Sequence, residues 1–433
     1  MKIKHGKAVV HLSRLVSCLQ IIYILKVRNM TIGVGGSSAE IALNKLENMT
    51  RDIKPISRVE YQSRLLKAQQ IMKSEGICAL YLDAGTNLHY FTGLNWYKSE
   101  RLVGAILPVE GDLEFIAPHF EEGSLQDNML IKGNYNGWHE DECPYALFSS
   151  VLNRLGFTQG KVAIDESAAF FVFDGFRKAA NTFEFTNGAD ITAPCRQIKS
   201  AAEIALMQRA KNMTIEVHKA AASILHPGIS TLEVTQFIHE AHKRVGASGS
   251  SFCIVLFGLA TSFPHGVKDA QVLAENDWVL IDTGCLLQGY NSDITRTYAY
   301  GSATSEQRTA WQVEKDAQAA GFAAAQLGNS CGSVDDAARA VINNHGYGPG
   351  YELPGLPHRT GHGCGLDIHE WPYLVRGTKT PLATGMVFSN EPMLVIPGKF
   401  GVRLEDHFYM GEQGPIWFTQ PSHSIDDPFG LEA

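Results

Sequence analysis

Four carboxylates in the C-terminal half of this 433-residue sequence fall where two hairpins would bring them together. Trp278-Val279-Leu280-Ile281-Asp282 is an apolar run ending in an acid, and residues 290–300 form a second β-prone run containing Asp293. Leu286-Leu287-Gln288-Gly289 is the turn signal between them. An antiparallel hairpin centred there pairs residues whose numbers sum to about 575, which opposes Asp282 to Asp293. Directly opposed residues have Cβ atoms roughly 5 Å apart on one face. Like charges that close are unfavourable without a cation between them. Residues 386–391 and 401–410 repeat the pattern about Ile396-Pro397-Gly398-Lys399, so that Glu391 and Glu405 face each other across a longer connection.

The nitrogen ligand comes from Pro357-His358-Arg359-Thr360-Gly361-His362-Gly363-Cys364-Gly365, followed by His369-Glu370. Glycines there let the backbone approach a ligand or another strand at an entropic cost that a plain loop has little reason to bear. Any one of these residues alone reads as a solvated acid or a hydrogen-bonded structural histidine. Their joint occurrence within residues 282–405 is what points to metal. Four carboxylates and one imidazole form a hard, oxygen-rich set suited to two divalent ions, Mn²⁺ first, with Co²⁺ or Zn²⁺ as alternatives. A two-metal hydrolase follows.

Elements that could carry such hairpins are visible around them. Helical spacing predicts a helix over residues 59–76, followed by strands at 78–82, 103–108, 113–117 and 161–165 and helices at 145–155 and 173–180, the alternation of an α/β domain. After residue 195 come a long amphipathic helix broken at His226-Pro227-Gly228, a second helix at 230–245, Gly-punctuated β runs from 250 onward, and helices at 305–327 and 333–344. The sequence divides into an extension at 1–54, an N-terminal domain at 55–195 and a C-terminal domain at 196–433.

Composition narrows the function class. Hydrophobic residues make up 45% and charged residues 19%, the balance of a globular protein with a sizeable core. A net charge of −8 with no basic run gives nucleic-acid binding no support. The eight cysteines are scattered without a CxxC pair and read as reduced thiols, which favours a cytoplasmic location. The first 30 residues carry six basic side chains and no acid, leaving 31 basic against 45 acidic residues in the remainder. Their apolar stretch at 15–25 is too short to span a bilayer and lacks a small-residue cleavage site, so no membrane is expected. This segment reads as a disordered extension or as sequence upstream of a start at Met30.

Several ordered motifs resemble the pita-bread metallopeptidases, in their Xaa-Pro aminopeptidase and prolidase branch. They are Asp282-Thr283-Gly284 with Asp293 eleven residues later, His358 through Gly363 with His369-Glu370, residues 385–392 (Gly-Met-Val-Phe-Ser-Asn-Glu-Pro), and Val402-Arg403-Leu404-Glu405-Asp406. Arg196-x-x-Lys199-Ser200-x-x-Glu203-Ile204 resembles the start of that family's catalytic domain, and residues 87–93 resemble its creatinase-like N domain. The resemblance implies an α/β protein with a creatinase-like N-terminal domain and a pita-bread catalytic domain, hydrolysing Xaa-Pro bonds in dipeptides or short peptides. It implies Asp282 on one metal, Asp293 and Glu405 bridging both, and His362 with Glu391 completing one site. A bridging water would attack, and Glu391 would shuttle its proton. His265 would contact substrate, His369 would stabilise the oxyanion, His358 would line the proline pocket, and Arg403 would hold Asp293 or the substrate. A homodimer is expected because the region of Trp96 and Tyr97 approaches a neighbouring subunit's active site in related enzymes. One departure matters: where several prolidases carry an arginine that grips the dipeptide carboxylate, Tyr373 stands here, with Arg376 the nearest arginine. Longer peptides, or a small osmolyte-like molecule handled by a hydrolase or lyase on the same fold, are therefore the alternatives.

Overall fold

The computed structural model describes residues 31–432. Two compact units divide it: residues 54–204 with 365–371, and residues 31–53 with 205–364 and 372–432.

The N-terminal unit is built on a six-stranded sheet of β1 (Ile77–Asp83), β2 (Gly104–Pro108), β3 (Glu114–Pro118), β4 (Asn134–Trp138), β5 (Gly160–Ile164) and β6 (Phe183–Asn187), in the order β4-β3-β2-β1-β5-β6. The pairs β1·β2 and β2·β3 are antiparallel, whereas β1·β5, β5·β6 and β3·β4 are parallel. Residues of β1 and β2 are buried throughout or nearly so, which explains their unbroken apolar runs. Helices Pro144–Arg154 and Phe170–Ala179 contribute Phe148 and Phe176, stacked at 3.9 Å with Tyr81 edge-on to Phe176 at 4.8 Å.

The C-terminal unit holds the strands that carry the candidate ligands. An antiparallel sheet in the order β10-β8-β7 contains β7 (Ser250–Phe257), β8 (Trp278–Leu287) and β10 (Ile294–Ala299), with β9 (Tyr290–Asn291) folded back on β8. Further along, β11 (Gly361–Gly363), β13 (Val387–Asn390), β16 (Asp406–Gly411) and β17 (Gly414–Trp417) lie side by side in that order. The strand β12 (Glu370–Leu374) begins in one unit and ends in the other, and β14 (Met393–Ile396) pairs with β15 (Phe400–Arg403). Helices Ala201–Ser223, Thr231–Val245, Ser305–Ala324 and Cys331–Asn344 accompany them. Ser230 caps the second of these, its side chain accepting from Glu233 N while Glu233 returns the bond to Ser230 N.

Two expectations on domain organisation need correction. Residues 31–53, expected to belong to an extension at 1–54, pack within the C-terminal unit. Thr31 Oγ1 donates to Ala299 O at 2.7 Å, Ile32 N to Asp426 O at 2.8 Å and Met49 N to Val245 O at 2.9 Å, and Val34 and Ala42 are buried. A Gly/Ser-rich stretch without periodicity gives no local sign of such docking. The division between the units falls at 204/205, inside the helix Ala201–Ser223, and residues 365–371 return to the N-terminal unit. The readings on residues 1–30 lie outside the described residues.

Candidate metal centre

The first hairpin forms, but its register differs from the expected one. Thr295 stands opposite Asp282, Ile294 opposite Thr283 and Tyr290 opposite Leu287, so paired numbers sum to 577. The turn is the two-residue Gln288-Gly289, both with positive φ (52° and 84°), rather than the four-residue turn expected from its sequence. A shift of two residues preserves the face. Asp293 falls between β9 and β10, near enough to Asp282 for the charge of Asp282 to act on its carboxyl. The second hairpin keeps the expected register: Val387 pairs with Tyr409 and Asn390 with Asp406, and β14 with β15 continues the same sum around the 397–399 turn. Glu391 and Glu405 lie one step past the last pair of β13 with β16.

Buried polar contacts hold these segments. Arg296 Nη2 donates to Asp406 Oδ1 at 2.7 Å and Nη1 to Glu405 O at 2.8 Å, fixing the start of β16. The loop before β11 is pinned from the helix Cys331–Asn344. Asp335 Oδ1 accepts from Thr360 N and Oγ1, and Arg339 donates to Asp335, Leu356 O and His358 O. At Gly361 a Cβ would sit 2.1 Å from Ser389 O, so only glycine lets β11 lie this close to β13. His362 N then donates to Ser389 Oγ at 2.9 Å.

Two groups of side chains could hold ions: His362, Glu391 and Glu405, and Asp293, Glu405 and His407, each with ligand atoms within 4.8 Å of one another. Glu405 belongs to both. Asp282 lies outside both, its Oδ2 accepting from Arg403 Nη2 at 2.7 Å. The donor set fits cations on three observations. Asp282 Oδ1 and Glu405 Oε1 are buried without a hydrogen bond among the described residues, although Glu405 Oε2 accepts from Thr295 Oγ1 at 2.7 Å. His362 Nδ1 lies 2.9 Å from Gly363 O, an oxygen that can only accept, so Nδ1 carries a proton and Nε2 is the nitrogen turned to the carboxylates. That Nε2 sits 3.0 Å from Glu391 Oε1, a contact that needs positive charge, which a proton on Nε2 supplies in the metal-free protein and a bound cation would supply in its place.

The electrostatics agree. Burial first, and then neighbouring carboxylates (Glu405, Asp282 and Glu391 for Asp293; Glu391 and Asp282 for Glu405), raises the carboxyls of Asp293 and Glu405 well above their ordinary values, while burial raises Asp282 against the opposing charge of Arg403. Glu391 differs: burial pushes it up, but His362, His358 and Arg403 hold it down to about 2. A carboxyl raised in the folded state stabilises the metal-free protein fully below its ordinary value (3.8 for Asp, 4.5 for Glu), and that contribution disappears as pH climbs through the raised value. The buried His218 and His242, held down to about 3 and 4 by burial, act in the opposite direction. Chelator-treated wild type and Asp293→Asn are therefore compared at one pH at a time. Their melting temperatures are expected to coincide near pH 4 and to separate in favour of the variant by pH 8. An equal gap at both pH values would contradict the crowding of carboxylates described here.

The remaining predicted residues are distributed as follows. Arg403 holds Asp282 rather than Asp293; its Nε donates to Thr295 Oγ1 and its Nη1 to Pro264 O, and Thr297 Oγ1, on the neighbouring β10, donates to Arg403 O and so fixes the strand that carries the arginine. His265 is exposed on the loop just after Pro264. His358 is half-buried, its Nδ1 2.7 Å from Arg359 O; burial lowers its pKa, Glu391 raises it, and Arg403 and His265 lower it further. His369 lies in the 365–371 stretch that packs with the N-terminal unit. Arg376 is taken up by Asp336 and does not replace the missing clamp. Arg359 does offer a cation, its guanidinium 4.1 Å from the centre of the Tyr373 ring.

Three residues escaped the sequence reading. Arg359 was quoted but given no task. His407 is two residues after Glu405 on a strand, so alternation alone would have put it on the ligand face. Lys211 is fully buried in the helix Ala201–Ser223, with Nζ donating to Asn291 O at 3.1 Å and its charge felt by Asp293, Cys364 and Glu405. A lone lysine on an apolar helix face was its only signal. Cys364 is buried beside this group, as a small packed residue.

Comparison with known proteins places this geometry in a family. The profile of Metallopeptidase family M24 matches residues 205–412, and that of the Creatinase/Prolidase N-terminal domain matches residues 64–198. An uncharacterized peptidase of Schizosaccharomyces pombe is 33% identical over 81% of this chain and 79% of its own length. An Xaa-Pro dipeptidase of Pyrococcus furiosus is 29% identical over 84% of this chain and 99% of its own. The crystal structure of recombinant prolidase from Thermococcus sibiricus superposes with a TM-score of 0.77 at 31% identity, covering 83% of this chain and 97% of that one.

Proposed function

The chain belongs to metallopeptidase family M24, with a creatinase/prolidase N-terminal domain, and from that premise we propose that it hydrolyses Xaa-Pro bonds, dipeptides foremost. One observation carries the reading: Asp293, His362, Glu391 and His407 gather about Glu405 in two groups of potential ligands, Asp282 is held by Arg403, and the buried Asp282 Oδ1 and Glu405 Oε1 have no hydrogen bond among the described residues. They would hold two divalent ions, Mn²⁺ by preference for an oxygen-rich set, with His407 as a further donor. Bound there, the ions supply an acidified water and positive charge for the developing oxyanion.

The chain's own residues supply the rest. Glu391, ionised across the working pH range, accepts the proton of the attacking water and delivers it to the proline nitrogen. Arg403 fixes Asp282, and His265 and His358 line the substrate's path, His358 on the proline side. His369 donates to the oxyanion. The Arg359 fork, stacked on Tyr373, donates to the free carboxylate of a dipeptide. These roles favour a peptide over an osmolyte-like substrate, as do the names of the relatives.

A cytoplasmic homodimer completes the proposal. No disulfide joins the described cysteines, and no helix among the described residues is long and apolar enough to cross a membrane. The N-terminal unit exposes Tyr97, Phe120 and Phe170, apolar surface of the kind a second copy would cover.

The test is hydrolysis of an Xaa-Pro dipeptide, an Xaa-Pro-Xaa tripeptide and an Xaa-Ala dipeptide by chelator-stripped protein with and without Mn²⁺. Mn²⁺-dependent cleavage confined to the proline peptides, fastest on the dipeptide, is expected. Absence of cleavage by the Mn²⁺-loaded protein would overturn the peptidase reading in favour of a small-molecule hydrolase or lyase.

A further inference from the structure

We propose that Arg196 and Lys199 are positioning residues for His369, acting through Glu370, so that the N-terminal unit sets the geometry of a catalytic group. The inference rests on the role given to His369 above. Its starting point is a discontinuity: residues 365–371 lie inside the stretch matched by the metallopeptidase profile, yet pack with the N-terminal unit.

The hydrogen bonds show what holds them there. Glu370, adjacent to His369, is buried. Its Oε1 accepts from Arg196 Nη2 at 2.6 Å and from Asp367 N at 3.0 Å, and its Oε2 accepts from Lys199 Nζ at 2.9 Å. Arg196 also donates Nη2 to Asp367 Oδ2 at 2.7 Å and Nη1 to Asn87 Oδ1 at 2.8 Å, and Thr86 Oγ1 closes on Asp367 Oδ1 at 2.6 Å. Lys199 Nζ donates a second bond to Arg196 O at 2.8 Å, and Asn87 Nδ2 donates to Asp165 Oδ1 at 3.0 Å. Two cations thus meet two carboxylates, and both oxygens of each acid are used. At Gly365 a Cβ would stand 2.7 Å from Glu370 Oε1, so the backbone is drawn in as far as the absence of a side chain allows.

A network this buried is weak evidence of a device for stability, since a well-packed apolar cluster stabilises as much or more. What it supplies that an apolar cluster cannot is direction. Arg196 presents a planar fork, and Glu370 answers with two oxygens whose orientation fixes the peptide that joins it to His369. Burial opposes ionisation of Glu370, but Arg196 and Lys199 hold it down to about 2, so the clamp stays charged throughout the working pH range.

The test compares metal-loaded wild type with Glu370→Gln, Lys199→Met, Arg196→Met and Arg196→Lys. It reads kcat and KM on an Xaa-Pro dipeptide, bound metal, melting temperature and amide hydrogen exchange of residues 366–374. Glu370→Gln, Lys199→Met and Arg196→Met are expected to lower kcat by about 10- to 100-fold, the range seen when an orienting partner is lost. KM should stay within about threefold, metal content should be unchanged, and exchange in 366–374 should quicken. Arg196→Lys should recover part of what Arg196→Met loses, because it keeps the charge and loses the fork. An active wild type with unimpaired variants would overturn the proposal, and so would a kcat loss that tracks bound metal or melting temperature across the set. If wild type does not cleave the dipeptide, the peptidase reading falls on its own account. The exchange measurement then decides the clamp, unchanged protection in 366–374 overturning it.

Discussion

Glu405→Gln is expected to abolish turnover, by at least about 10³-fold, well beyond the roughly 10- to 100-fold that follows loss of a partner that merely orients a ligand. Glu405 is the one side chain common to both groups of potential ligands, so neutralising it weakens two ion sites at once. Its Oε1 has no hydrogen bond among the described residues, while its Oε2 is held by Thr295 Oγ1. A glutamine can keep the second contact and cannot supply the first as an anion. Metal analysis of the variant after loading with Mn²⁺ should show a loss at both positions. The metal-free variant should also fold at least as stably as wild type at neutral pH, because one of the mutually repelling carboxylates has gone. A variant that retains two ions and wild-type kcat would remove Glu405 from the bridging role.

Arg359→Met carries the second large effect, and it depends on substrate length. Removing a charged, partly desolvated hydrogen-bonding partner costs about 2–5 kcal/mol. Near the low end this lowers kcat/KM for an Xaa-Pro dipeptide by about 10²-fold. A tripeptide, whose carboxylate lies one residue further on, should lose only a few-fold. Arg359→Lys should restore little, since an ammonium cannot reproduce either the planar fork or its stacking on Tyr373. Equal losses on dipeptide and tripeptide would show that Arg359 merely supports the loop, and that substrate length is read elsewhere.

What was legible in the sequence follows from how local each signal is. The helix Arg58–Glu75 ends at Gly76, in the left-handed conformation, one residue from its expected end. Glu391 and Glu405 fall where their hairpin register requires because Pro397-Gly398 is an unambiguous turn. Asp282 and Asp293 were displaced by two residues because Gln288-Gly289 is a weaker signal than Asn-Gly, yet the two carboxylates remain within each other's influence. His407 was missed although the same alternation exposes it. Arg359 over Tyr373, and Lys211 behind Asp293, depend on neighbours 14 and about 80 residues away, for which no periodicity exists. The same is true of residues 31–53, whose hydrogen bonds run to residues 222, 245, 299 and 426.

Those last bonds also set an order of assembly on the ribosome. Ile32 is tied to Asp426 and Gly33 lies against Leu431, so the stretch made early must wait for residues made almost 400 positions later. The N-terminal sheet can close once residue 204 has emerged, missing only the loop at 365–371, whereas the unit with the candidate metal centre has no complete surface until residues 426–431 leave the exit tunnel. Until then its apolar strands lack their partners and stay exposed to solvent, so this half of the molecule is open to misassociation for longest.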